Sequence, residues 1–309
     1  MEDKEQKPLI KKLIWPIAIF LFFVFFAIWR YLATGNTFYL FNFGYLGLVL
    51  SVGFLLSELL SKKSRLWVRR LIQFFIGSYM IVYLGFIELE NMQIEGFFFC
   101  LFAGIFIAAA LHYFIAKIFG PLIFGRGYCG WACWTAMVLD LLPWKISKGR
   151  YRYYGMIRYA HFIISLLLAS YFWYVLKTTD VIANHAYVEL YWFAIGNLLY
   201  YVIGISLAFF LKDNRAFCKY VCPIPTLLKI TSRFSLIKMK IDKDKCVDCG
   251  TCEKVCPMDI KLLNYKKRNQ RILSTECILC GNCKNSCPKQ AINGATGCDV
   301  SFKEELNYK

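Results

Sequence analysis

Long apolar stretches dominate the first two thirds of the chain, and their length is what a bilayer demands. A hydrocarbon core of about 30 Å takes about 20 residues of helix to cross. Six windows qualify: Leu13 to Ala33, Phe38 to Leu60, Leu66 to Leu89, Ile94 to Ile118, Ile157 to Lys177 and Tyr187 to Leu211. The first is too long and aromatic, and too poorly followed by small residues, to be a cleaved leader, so it is read as a retained span. Pro16 and interior glycines such as Gly77, Gly104, Gly196 and Gly204 do not argue against helix, which tolerates them in a membrane. Residues 119–145 are apolar but Gly-rich and too interrupted for another crossing, which predicts a re-entrant or interfacial segment. After Leu211 the pattern changes abruptly. Thr226 to Met239 alternates apolar and basic residues, as either an interfacial helix or an entering strand would. The predicted organisation is a helical membrane domain over 1–211, a linker over 212–240, a separate module over 241–295 and a tail over 296–309.

Composition agrees with the pattern. Of 309 residues, 58% are hydrophobic and 18% charged, against about 45–50% and about 25% in soluble domains. That excludes an ordinary soluble globule and any disordered or fibrous class. The net charge of +17 gathers in alternate loops. Lys4, Lys7, Lys11 and Lys12 precede the first window. Lys62, Lys63, Arg65, Arg69 and Arg70 follow the second, and Lys117, Arg126, Lys145, Lys148, Arg150, Arg152 and Arg158 follow the fourth. Glu88, Glu90, Glu95, Asp180 and Glu189 occupy the opposite side. The positive-inside rule then predicts a multi-pass inner-membrane protein with both termini, and the module, on the cytoplasmic face.

The cysteines carry the chemistry. Cys246, Cys249, Cys252 and Cys256-Pro257 form CxxCxxCxxxCP, and Cys277, Cys280, Cys283 and Cys287-Pro288 repeat it 31 positions later. This is the spacing of bacterial two-cluster ferredoxins, in which the fourth cysteine of each run serves the other cluster. It assigns Cys246, Cys249, Cys252 and Cys287 to one [4Fe-4S] centre and Cys277, Cys280, Cys283 and Cys256 to a second. Gly250 and Gly281 are expected to let backbone amides approach the sulfides. A zinc site would instead want four-ligand groups without two runs ending in CP. The predicted fold class is therefore an all-α polytopic membrane protein of about six transmembrane helices with a C-terminal α+β 2[4Fe-4S] ferredoxin domain.

Four more cysteines fall where the membrane half meets the same face. Cys129 and Cys133 form a CxxxC after the fourth window, and Cys218 and Cys222-Pro223 form another after the sixth. On a helix such a pair puts two thiols about one turn apart, which suits a shared metal or a redox dithiol. A third Fe-S cluster, a dithiol/disulfide couple and packing cysteines all stay open. Cys100 and Cys298 have no partner spacing.

Ionisable residues inside the membrane are functional candidates. His112 and His161 fall in windows four and five and suit a quinone headgroup, a haem or an interhelical hydrogen bond. The last needs least, and haem is not expected, because haem bundles spend histidines in pairs. Arg126 and Asp140, beside a cysteine pair, suit a quinone headgroup, while Arg126 with lipid phosphate and Trp131, Trp134 and Trp144 in an aromatic belt is the plainer alternative.

The motifs Gly125-Arg-Gly-Tyr-Cys-Gly-Trp-Ala-Cys133 and Phe217-Cys-Lys-Tyr-Val-Cys-Pro223, with the runs at 246–257 and 277–288, resemble the NapH-type family of polyferredoxin-like membrane ferredoxins. Trp134 stands where that family's first motif has proline. The resemblance implies a quinol-oxidising subunit of dehydrogenase type, passing electrons between the quinone pool and a cytoplasmic or membrane partner. Relatives serving assembly or regulation imply two alternatives: a maturation factor that reduces a metal ion or disulfide, and a redox sensor. Lys254, Lys261, Lys266, Lys267, Arg268, Arg271, Lys284 and Lys289 surround the runs, so anionic lipid or an acidic redox protein is the expected partner. Nucleic acid is not.

Overall fold

A computed structural model describes residues 9–104, 109–144, 146, 148–174, 185–300 and 302–309. Lys4, Lys7, Lys145 and Asp180, used above for orientation, lie outside the described residues, as does Lys177 at the end of the fifth window. The chain forms two compact units, Met1–Ile76 and Gly77–Lys309.

In the first unit, helices Leu9–Thr34 and Phe38–Leu59 make a hairpin around Gly35, whose φ of 68° favours a residue without Cβ. Gly47 lets the pair close up, since a Cβ there would meet Phe23 Cβ at 2.6 Å. Both helices are apolar all round, and large side chains such as Leu21, Phe25, Trp29 and Leu48 point outward, the mark of a surface that meets lipid.

Among the described residues, five helices are long and apolar enough to cross a membrane: Lys12–Thr34, Phe38–Leu59, Ser64–Ile87, Tyr154–Tyr174 and Glu189–Leu211. The expected sixth, over Ile94 to Ile118, is instead two pieces. Helix Ile94–Ala103 stops at Gly104, which adopts φ 69° and returns its N–H to Cys100 and Leu101. Helix resumes at Ala109 and continues, with a π-helical stretch Tyr113–Phe119, to Phe124. The second piece runs back beside the first: Phe97 stacks on Tyr113 at 4.6 Å, and the Tyr113 hydroxyl donates to the Met92 carbonyl. Hydropathy counts apolar residues and does not see a left-handed glycine that ends a helix, so a broken hairpin reads as one span.

Residues 119–145 form three short helices, Gly120–Phe124, Gly127–Trp131 and Trp134–Leu139. The stretch after the last long helix does much the same, with Ala216–Tyr220 and Ile224–Ser232. The alternating segment 226–239 resolves into both expected elements in succession, the end of that last helix and then a strand, Ile237–Ile241. The strand pairs antiparallel with Ile292–Thr296, Ile237 opposite Thr296 and Ile241 opposite Ile292. Between the strands, the 31-residue repeat is written into the backbone. Positive φ recurs at Asp248 and Leu279, at Gly250 and Gly281, and at Asp259 and Gln290. Ile241, Met258, Ile260, Tyr265, Ile272 and Ile292 fill the core between the two halves of the repeat, and Cys129 and Leu228 from the preceding segments pack into that same core. The C-terminal tail closes over it. Leu306 is buried, and backbone bonds join Arg150 to Asn307 and Lys309.

Candidate iron-sulfur site

Gly250 and Gly281, both left-handed, precede the short helices Thr251–Lys254 and Asn282–Ser286, so each run of three cysteines wraps a tight loop. The loops line two cavities. One is bordered by Cys277, Cys280, Cys283 and Cys256. The other is bordered by Cys246, Cys249, Cys252 and Cys287. Each cavity thus takes three thiols from one run and the fourth from the other, the exchange that the spacing implies.

Each quartet surrounds a cavity, which suits a polynuclear cluster. Burial pushes the Cys252 and Cys277 thiols up to about 12 and Cys256 up to about 11. Thiols so reluctant to ionise need a bound cationic centre to hold them as thiolates. Cys249 is exposed, and a hydrogen bond with the Thr251 hydroxyl brings its thiol down.

Cys129, Cys133, Cys218 and Cys222 come together although 84 residues of chain separate the pairs. Each sulfur of Cys133, Cys218 and Cys222 lies within electrostatic reach of two or more of the set. Arg215 organises them. Its guanidinium grips Asp140 with two bonds, Nε to Oδ1 at 2.7 Å and Nη2 to Oδ2 at 2.6 Å. Nη1 donates to the Cys129 carbonyl at 3.1 Å and faces Cys218 Sγ at 3.8 Å. Two further buried basic groups face the set: Lys117, seated over the Tyr113 ring at 3.6 Å and brought down to about 7 by burial, and Arg126 beside Cys129. A cluster held by four thiolates would be anionic, and buried basic groups are the surroundings it would require.

The second device is a hub on Glu276, the residue before Cys277. Its carboxylate is 1% exposed and accepts from Arg126 Nη1 at 2.6 Å, Arg158 Nη1 at 2.9 Å, Arg150 Nη2 at 3.0 Å and Lys229 Nζ at 2.7 Å. Burial opposes its charge, but the guanidiniums of Arg150, Arg126 and Arg158, with Lys229, outweigh burial and hold the carboxyl well below the usual carboxylate range. Nearby, Asp259 pairs with Lys219, the residue after Cys218, and Lys219 also reaches Asp213 at 2.6 Å. The CxxxC loop touches the module directly. Trp131 Nε1 donates to the Leu279 carbonyl at 3.0 Å, and Gly130 lies so close that a Cβ would meet the Ile278 carbonyl oxygen at 2.2 Å. Ile278 and Leu279 stand between ligand candidates Cys277 and Cys280.

Several sequence expectations change here. Arg126 and Asp140, candidates for a quinone headgroup, are committed to Glu276 and Arg215. The guanidinium of Arg126 is fully buried and so meets no lipid phosphate. Trp134 leaves the aromatic belt too, buried and donating to Asn197 Oδ1 at 2.7 Å. Of the basic residues around the runs, Arg271 is buried against Asp299, Lys266 pairs with Asp248 and Arg268 with Glu305, which leaves Lys254, Lys267, Lys284 and Lys289 as exposed charge. His161 Nδ1 sits 2.9 Å from the Val221 carbonyl and the ring rests against Tyr200, whereas His112 packs on Tyr128 and its Nε2 has no hydrogen-bond partner among the described residues. Arg215 and Glu276 were missed. Their signal is no more than one charged residue beside a cysteine, and only the fold supplies the partners.

Known proteins share both parts of this site. A family profile described as a 4Fe-4S dicluster domain matches residues 238–294, and one described as a 4Fe-4S binding domain matches 97–152 and 196–243, which contain both CxxxC pairs. An uncharacterized protein of Methanocaldococcus jannaschii is 32% identical over 55% of this chain and 67% of its own. The methylamine utilization ferredoxin-type protein MauN of Methylobacillus flagellatus is 28% identical over 51% of this chain and 58% of its own. The ferredoxin-type protein NapH of Haemophilus influenzae is 28% identical over 46% and 51%. The chain thus spans between about half and two thirds of these relatives. No solved structure matches it. With four thiols around each of two cavities, a dicluster profile over them and ferredoxin-type relatives, the chain is an iron-sulfur electron-transfer protein with helices long and apolar enough to cross a membrane, and it belongs to the NapH-type, polyferredoxin-like family of 4Fe-4S ferredoxins.

Proposed function

We propose that the protein carries single electrons between the quinone pool of the inner membrane and a redox partner on the cytoplasmic face, through three iron-sulfur centres in a row. Cys129, Cys133, Cys218 and Cys222 hold the centre nearest the apolar helices. Cys277, Cys280, Cys283 and Cys256 hold the middle one, and Cys246, Cys249, Cys252 and Cys287 the outermost. The observation that carries this reading is the contact of Gly130 and Trp131 with the backbone between Cys277 and Cys280, which sets one thiol group beside the next with no intervening element. A second support is the 4Fe-4S binding profile over both CxxxC pairs.

Iron-sulfur clusters accept and release one electron each and so can divide the two electrons of a quinol. The chain's own residues do the rest. Arg126 and Arg215 supply positive charge around the inner thiolates, which favours the reduced state. Glu276 and Asp259 lock the module in place. Exposed Cys249 and Val247, with Lys243, Lys245 and Lys254 nearby in sequence and Lys289 bordering the same cavity, form an outlet with the charge to receive an acidic carrier. The relatives' names speak only of ferredoxin-type proteins, so the quinone is the part at risk. Anaerobically purified protein mixed with short-chain ubiquinol or menaquinol should show cluster reduction by EPR, at a rate that rises with quinol concentration. Clusters that dithionite reduces and neither quinol does would refute the quinone reading and favour the maturation role.

A further inference from the structure

Three polar groups on the apolar side of Cys222 have no use in the account so far. Gln93 Nε2, Glu95 Oε2 and the Tyr200 hydroxyl are each shut off from the surface, and none has a hydrogen-bond partner among the described residues. Each such group is costly and asks for a reason. By sequence Glu95 is an outer-loop charge. In the fold it sits in the first turn of helix Ile94–Ala103, and its other oxygen accepts from the Ser165 hydroxyl at 2.6 Å. Gln93 reaches the helix that carries Tyr200 at Gly196, where a Cβ would meet its Oε1 at 2.2 Å. Gly196 and Tyr200 are one turn apart on the same helix face, so the amide and the hydroxyl share that side. Glu95 lies within electrostatic reach of Tyr200, and Tyr200 of Cys222. The Tyr200 ring is bracketed by His161 at 5.7 Å and Phe217 at 5.1 Å, and His161 contacts the carbonyl next to Cys222.

An amide donor, a hydroxyl and a carboxylate oxygen in aromatic, apolar surroundings are complementary to a ring with two opposed oxygens. We propose that Gln93, Glu95 and Tyr200 form a headgroup site for a quinol beside Cys222, in which Glu95 Oε2 accepts one hydroxyl proton. The proposal rests on the quinone reading above and names the residues that act in it. Oxidation breaks the two O–H bonds of the quinol. Its two electrons leave one at a time to the iron-sulfur centres, which are reduced. One proton passes to Glu95, which becomes the carboxylic acid, the other passes to bulk water from the opposite oxygen, and the product is the quinone. Ser165 orients the carboxylate and touches no substrate.

The test uses the full chain in detergent, with iron content and dithionite-reduced EPR as controls. Glu95→Gln keeps an oxygen for Ser165 but cannot take a proton, so reduction by short-chain ubiquinol or menaquinol should slow by about a hundredfold. Infrared difference spectra on quinol addition should lose the carboxyl band that wild type gains. Tyr200→Phe removes only an unpartnered hydroxyl and should fold normally. It should weaken equilibrium binding of the short-chain quinone, followed by tryptophan fluorescence, by about fivefold. If Glu95→Gln loses its iron, Tyr200→Phe decides alone. Wild-type rates and binding in the folded variants would overturn the site. A wild type that dithionite reduces and neither quinol does would instead overturn the reading beneath it.

Discussion

In the C-terminal module each quartet of thiols is largely local. Three come from one loop of seven residues, the fourth from the matching run, and two left-handed positions per repeat shape the loop. In the CxxxC group nothing is local. Cys129 lies in the short helix Gly127–Trp131 with Cys133 just beyond it, Cys218 lies in Ala216–Tyr220 with Cys222 just beyond it, and the pairs meet because Arg215 holds Asp140, the Cys129 carbonyl and Cys218 at once. The difference teaches where each site is vulnerable. A loop that wraps its own cluster survives as long as the module folds. A group assembled from distant segments survives only as long as the buried charges that position it are matched.

The most damaging way to probe this is Glu276→Gln. The substitution is nearly isosteric but leaves Arg126, Arg158 and Lys229 without their anion and Arg150 with only Asp259, at 3.7 Å. Removing one partner of a buried pair costs about 3–5 kcal/mol, and here four basic side chains share one carboxylate. Thermal unfolding in detergent should fall steeply, and the junction around residues 233–236 should become open to protease, with the inner centre lost before the two module clusters. An unchanged melting curve would mean that the hub does not hold the module.

Next in size is Cys129→Ser combined with Cys218→Ser. Iron and sulfide should each drop by about four per chain, the content of one cubane, while the EPR signals of the module clusters persist. No change in iron would leave the CxxxC group as thiols only and remove the inner centre from the proposed row.

The two regions also differ in how far a sequence reveals them. The cysteine runs are legible because ligand spacing, the 31-residue repeat and the following prolines all describe one loop, and the cavities are lined by the quartets that spacing assigns. Five long helices are legible because hydropathy measures length. The break at Gly104 is not, since a single φ decides it. Arg126, Arg150 and Arg158 are the clearest failure. In sequence they are loop charges that set orientation, and in the fold they are buried on Glu276, more than a hundred residues away. Charge tells which side a loop prefers, and only tertiary packing tells whether a carboxylate waits there. Glu95 was hidden for the same reason, as one acid among several in an outer loop.

The finest test concerns the contact that joins the two regions. Trp131→Phe keeps a ring of similar shape and deletes the bond from Nε1 to the Leu279 carbonyl. One neutral hydrogen bond is worth about 0.5–1.5 kcal/mol, so the variant should fold, keep all its iron and melt only slightly earlier. The loop Cys277–Cys280 would no longer be pinned to the CxxxC segment, and the gap between inner and middle thiols would open. Electron exchange depends on that gap, so rapid-freeze EPR after quinol mixing should show the inner centre reduced at the wild-type rate and the middle one lagging several-fold. Equal lag in both would place the effect at quinol entry, and no lag would show that packing around Gly130 sets the distance without help from the indole.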